Sequence, residues 1–162
     1  GQYDTYTPIQ LSQYINTIAN NGVRLKPYLL KEVYKPSDSG DTFGSLIYKA
    51  NVTELGKLSV EKKYIDRVRE GFSAVVTRGL GYGYTNSAGK TGTSQSFIDT
   101  DGDGKVDTET ITSSFVGYSP SDNPKMSIVV VSPDISVPDS TTYGVTRNIS
   151  AQVVNKYFEL NG

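Results

Sequence analysis

A chain of 162 residues with a net charge of -1 and an isoelectric point near 5.4 is long enough for one domain or a large part of one. It carries no global field that would favour nucleic acid or an anionic membrane. The sequence has no cysteine and no histidine, which excludes disulfides, thiolate metal sites and any Ser-His-Asp or Cys-His mechanism within it. No apolar run approaches a membrane span, and the first four residues do not read as a signal peptide.

The first helix is announced by TPIQ at residues 7–10. Thr7 can cap, Pro8 suits the first helical position and Gln10 completes a capping box. Leu11, Tyr14, Ile15 and Ile18 follow at helical spacing, and Asn21 with Gly22 ends the run. Residues 28–34 and 46–50 read as extended, with the polar segment 36–41 as the turn between them. A second helix is expected over 60–77, capped by Ser59, with Ile65, Val68, Phe72, Val75 and Val76 as its apolar stripe and Gly79 as its end.

Three strands are expected next, over 86–98, 112–118 and 125–132. The PSDNP turn at 120–124 makes the last two an antiparallel hairpin. A final helix is expected from near Thr146, with Ile149, Val153, Tyr157 and Leu160 on one face. The order predicts an α+β fold in which helices cover an antiparallel sheet.

The chemistry concentrates at Lys90, Thr91, Gly92 and Thr93. Lys90 brings a fixed positive charge. Thr91 and Thr93 place two hydroxyls on one face of an extended backbone, and strict alternation puts Lys90 and Gly92 on the other. Gly92 removes a side chain, so another backbone can approach. Cation, hydroxyls and bare backbone suit a peptide carboxylate and a developing oxyanion. A phosphate loop fits poorly, because Gly83 lies one residue too far upstream of Gly89 and no helix follows Thr91.

A second feature lies in the acidic connection 99–110. Asp99, Asp101 and Asp103 fall at positions 1, 3 and 5 of an EF-hand-type loop, with Gly104 at 6, the Lys105 carbonyl at 7 and Asp107 at 9. Thr110 stands where a bidentate Glu is expected, and the flanks read as strands. A structural Ca²⁺ clip and a solvated Asp/Gly turn both fit this loop; a calcium sensor does not.

Three stretches resemble the penicillin-binding protein transpeptidases of class B. They are GQYDTYTPIQL at 1–11 with IANNG at 18–22; AGKTGTSQ at 88–95; and FVGYSP at 115–120 with DNP at 122–124 and IVVV at 128–131. K-T-G is one of three elements shared by these proteins and the serine β-lactamases. The resemblance implies a serine β-lactamase/transpeptidase-like fold and a D,D-transpeptidase that cross-links peptidoglycan stem peptides and is acylated by β-lactams. It implies that Lys90 serves the catalytic proton network and attracts the substrate carboxylate, that Thr91 and Thr93 bind that carboxylate, and that the Thr93 N–H is an oxyanion donor. The resemblance, not the alternation, brings Lys90 and the threonines to one site.

The same resemblance implies no cofactor for the acyl transfer and a location on the extracellular face of the bacterial cytoplasmic membrane. Implied partners are the stem peptide, β-lactams and the rest of the transpeptidase domain. The family also needs S-x-x-K and S-x-N before K-T-G. Ser59 with Lys62, and Ser121 with Asn123, match these patterns in the wrong places; a helix start and a turn explain them. Residues 1–162 are therefore expected to be the C-terminal portion of such a domain, inactive alone, with apolar surface left open to self-association. The alternative from another class is a non-catalytic extracellular Ca²⁺-binding module of the same fold. Tyr3, Tyr6, Tyr82 and Tyr84 are expected to pack core and cleft, and residues 79–85 to shape the rim of the active-site strand.

Overall fold

The computed structural model describes residues 4–40, 42–80, 86–136 and 144–161. Tyr3, Tyr82, Tyr84 and much of the expected rim lie outside the described residues, while Tyr6 is exposed.

Helix α1, Pro8–Ala19, starts as its sequence dictates. The Gln10 N–H donates to Thr7 Oγ1 at 3.4 Å and the Thr7 N–H donates to Gln10 Oε1 at 2.8 Å, so two orphan donors are satisfied reciprocally. Asn21 (φ 53°) and Gly22 (φ 87°) then turn the chain away in the left-handed region. Two short antiparallel ribbons follow. Strand β1 (Val23–Leu25) pairs with β4 (Glu54–Lys57), and β2 (Glu32–Tyr34) pairs with β3 (Leu46–Lys49). The β2–β3 hairpin matches expectation, although only the end of 28–34 is strand.

Helix α2, Lys62–Ala74, runs into a π-helical turn, Val75–Leu80. Its N-cap is Glu61, which makes no side-chain cap bond, so the Ser59 cap reading is corrected: the chain becomes helical only beyond Glu61. Ile65 and Val76 of the expected stripe are buried, whereas Val68 faces solvent.

The main sheet is antiparallel with the order β5 (Ala88–Ile98), β6 (Thr108–Ser119), β7 (Met126–Ser136). It joins the three expected strands, with β6 and β7 longer than the sequence indicated. Period-2 alternation gives the sheet two faces. Ala88, Val116 and Tyr118 form a core cluster with Ile15 and Ile18 of α1, and Leu11, Phe72 and Val129 pack against it. The other face is covered by α3, Val145–Asn161.

The packing of α3 corrects the apolar-stripe expectation. The buried positions are Thr146, Ser150 and Val154, while Ile149, Val153 and Leu160 are exposed. The reason lies in what the sheet presents. Ser113 on β6 is buried, and its hydroxyl shares a 2.9 Å hydrogen bond with that of Thr146; Ser150 Oγ donates to the Thr146 carbonyl at 2.6 Å. Small hydroxyl residues let the helix approach, and the hydroxyls of Ser113, Thr146 and Ser150 each find a partner. Thr146→Val should therefore destabilise by about 1–3 kcal/mol through the orphaned Ser113 hydroxyl. Ile149→Ser should stay within about 0.5 kcal/mol. Urea unfolding of both variants checks the assignment; the reverse order would restore the apolar stripe as the packed face.

Candidate functional site

Strand β5 carries the K-T-G segment along one edge of the sheet. Its register on β6 pairs Lys90 with Val116, Thr91 with Phe115, Gly92 with Ser114 and Thr93 with Ser113. Lys90 and Gly92 thus share the α1 face, and Thr91 and Thr93 share the α3 face, as alternation required. Lys90 and Thr93 are exposed, and Thr91 and Gly92 are half-buried. Lys90 Nζ donates to the Thr91 carbonyl at 2.8 Å. Among the described residues no strand pairs with the outer side of β5. Alternate residues of such a strand turn their N–H groups away from the partner.

Glycine makes this strand thin. A Cβ on Gly92 would stand 2.5 Å from Ser114 Oγ, and one on Gly89 would stand 2.6 Å from the Val116 carbonyl oxygen. At the far end Gln95 Nε2 donates to Glu109 Oε1 at 2.8 Å, and the Asp107 N–H donates to the Ile98 carbonyl at 3.0 Å, closing the β5–β6 connection.

A cavity of about 740 Å³ opens elsewhere, between α1, β1 and the β6–β7 turn. Asn16, Asn20, Arg69 and Lys125 are among its lining residues, and none of Lys90, Thr91 and Thr93 is. The serines with family-like spacing are accounted for locally; Ser87, three residues before Lys90, is buried and donates to Ser119 Oγ at 2.9 Å. Ser59 is exposed, and the Lys62 ammonium pairs with Asp66 at 2.6 Å. Ser121 Oγ donates to Asn86 Oδ1 at 2.6 Å within the β6–β7 turn.

In the acidic connection, Asp99, Asp101 and Asp107 each offer a carboxylate oxygen, all within 4.8 Å of one another. Asp103 is not in that group; its carboxylate accepts from the Lys105 N–H at 2.8 Å. Asp99 accepts from the N–H groups of Gly104 at 2.7 Å and Gly102 at 2.6 Å, which hold its pKa below the ordinary value. Hydroxyl donation from Thr108 and Thr100 does the same for Asp107. Calcium titration by calorimetry decides between the ion and the plain turn. Heat of one-to-one stoichiometry that Asp99→Asn abolishes marks an ion site; no heat at millimolar Ca²⁺ leaves an acidic turn.

Comparison with known proteins agrees with this architecture. The family profile described as the penicillin binding protein transpeptidase domain matches residues 1–156. Penicillin-binding protein 2A of Bacillus subtilis is 41% identical over 165 residues, covering 99% of this chain and 23% of that protein. Penicillin-binding protein 2B of Streptococcus pneumoniae is 38% identical over 166 residues, again covering 23% of its own length. The solved structure of penicillin-binding protein 2B from S. pneumoniae strain R6 superposes with a TM-score of 0.80 at 33% identity, covering 99% of this chain and 26% of that one. The chain therefore spans about a quarter of the length of these relatives. With its glycine-thinned K-T-G edge strand, its two-faced antiparallel sheet and a match along nearly its whole length, the chain belongs to the class B penicillin-binding protein transpeptidases and is part of their transpeptidase domain.

Proposed function

We propose that these residues supply the substrate-clamping edge strand of a peptidoglycan D,D-transpeptidase, and that the serine nucleophile is furnished by residues outside this chain. The observation that carries the reading is the position of K-T-G on an exposed sheet edge within a transpeptidase-family match over residues 1–156. The Lys90 ammonium attracts the terminal carboxylate of a stem peptide, or the carboxylate of a β-lactam that takes its place. The Thr91 and Thr93 hydroxyls donate to that carboxylate, so the substrate lies along β5. The Thr93 N–H then points at the carbonyl oxygen where negative charge develops during acyl transfer. Removing one such donor costs about 3–4 kcal/mol of transition-state stabilisation. No cofactor enters this chemistry.

A stem-peptide substrate places the site on the extracellular face of the cytoplasmic membrane. No helix among the described residues is long and apolar enough to cross a membrane.

The test is the rate of acylation by a labelled penicillin in a full transpeptidase domain carrying these residues. Thr93→Val keeps the N–H and loses a hydroxyl that bonds a charged group, worth about 1.5–3 kcal/mol, so the rate should fall roughly tenfold to a hundredfold. Lys90→Ala should fall at least as far. Wild-type rates in both would remove the clamp role from Lys90 and Thr93.

A further inference from the structure

We infer that Asn86 is a positioning residue for the proposed acyl transfer, the centre of a latch with Arg69, Ser121 and Asp122 that fixes where the K-T-G strand begins. The inference rests on the clamp reading above. Asn86 stands immediately before Ser87 and β5, in the left-handed region at φ 50°. Its amide is used at both ends: Oδ1 accepts from Ser121 Oγ at 2.6 Å, and Nδ2 donates to Asp122 Oδ1 at 2.9 Å. Its backbone carbonyl accepts from the Ser121 N–H at 2.7 Å. Only a short side chain with a donor and an acceptor, on a residue that tolerates positive φ, can make this set, and Asn is that residue.

Arg69 of α2 braces the same turn. Its Nη2 donates to the Ser121 carbonyl at 3.0 Å, and its Nη1 donates at 2.5 Å to Asn21 Oδ1, just beyond α1. Beside Asn86, Ser87 Oγ donates to Ser119 Oγ at 2.9 Å in a buried pair. Two helices and the β6–β7 turn are thus tied to the first residues of β5.

The strand needs such an anchor. Among the described residues it is hydrogen-bonded to a partner strand on one side only, and two glycines, Gly89 and Gly92, flank Lys90 and Thr91. A glycine-rich edge twists readily. Lys90 lies four residues beyond Asn86, so a small rotation at the anchor displaces its ammonium and the Thr93 N–H together. A misplacement of about 1 Å costs on the order of a hundredfold in rate. The Asn86–Asp122 and Asn86–Ser121 bonds are solvent-exposed and add little to stability, so their loss should register in the rate rather than the melting temperature.

The experiment measures penicillin acylation and melting temperature in the full transpeptidase domain. Asn86→Asp sets a carboxylate against that of Asp122; the acylation rate constant should fall roughly tenfold to a hundredfold, with the melting temperature nearly unchanged. Asn86→Asp combined with Asp122→Asn reverses the pair while keeping both bonds, and should restore the rate. Asn86→Gly keeps the backbone angle and removes both side-chain bonds of Asn86, so it should be slow like Asn86→Asp and answers the question if that variant does not fold. Wild-type rates in Asn86→Gly, or a slow Asn86→Asp that the exchange of partners does not rescue, overturn the inference. Lys90→Ala runs alongside. A normal rate there fails the clamp itself; a slow Lys90→Ala with normal Asn86 variants fails the latch alone.

Discussion

Gly89→Val should destabilise the fold by at least about 1–3 kcal/mol, the usual cost of overpacking a core, and should displace β5 from β6. The Cβ it introduces would stand 2.5 Å from Phe115 Cζ and 2.6 Å from the Val116 carbonyl oxygen. Neither can yield: Phe115 is 1% exposed, and the carbonyl is part of the central strand. The register explains the crowding. Gly89 pairs with Gly117, and a Cβ on Gly117 would also meet the Phe115 ring, at 2.7 Å. The ring lies across a cross-strand pair of glycines and fills the space that their side chains would take. Gly71, inside α2, is the control. Nothing lies within 4 Å of the Cβ it would gain, so Gly71→Ala should stabilise by about 0.5–1 kcal/mol, as expected for a helix-interior glycine. Urea unfolding of the two variants should move in opposite directions. A neutral Gly89→Val would mean that β5 is not seated on Phe115, and the placement of Lys90 would fall with it.

The elements that were legible in the sequence are those whose signals are local. Thr7, Pro8 and Gln10 dictate the start of α1 through bonds spanning three residues. The β6–β7 hairpin follows from alternation and a proline-flanked turn. What escaped depends on distant partners. Strands β1 and β4 are three and four residues long and find each other across the β2–β3 hairpin, so neither carries enough period to be seen alone. For α3, spacing singled out Ile149, Val153 and Leu160, but the sheet face beneath presents Ser113, and Thr146 and Ser150 fit it better. The K-T-G segment was legible as chemistry and the β5 edge as a strand. Asn86 was not, because its partners are the β6–β7 turn and the side chains of that turn; an αL-tolerant residue just before a strand was its only sequence signal.

Penicillin should acylate no serine of residues 1–162, whether the chain stands alone or within a full transpeptidase domain. Acyl transfer needs a serine within about 3 Å of both the reacting carbonyl and a base that takes its proton. The chain holds no histidine. Two serines precede a lysine by three residues: Ser59 is exposed, beside a Lys62 whose ammonium pairs with Asp66 at 2.6 Å, and Ser87, three before Lys90, is buried and donates to Ser119 Oγ at 2.9 Å. Ser121 Oγ donates its hydrogen bond to Asn86 Oδ1 at 2.6 Å. Binding by the clamp alone is reversible, since the acyl bond is what makes capture durable.

The deciding measurement is intact-mass spectrometry with peptide mapping after exposure to a labelled penicillin, on the isolated chain and on the full domain. The isolated chain should remain unmodified, with native packing verified by near-ultraviolet dichroism of its tyrosines. In the full domain a single adduct should form on a serine outside residues 1–162, slowed by Lys90→Ala. A stoichiometric adduct mapping to Ser59, Ser121 or any other serine of this chain would contradict that placement of the nucleophile.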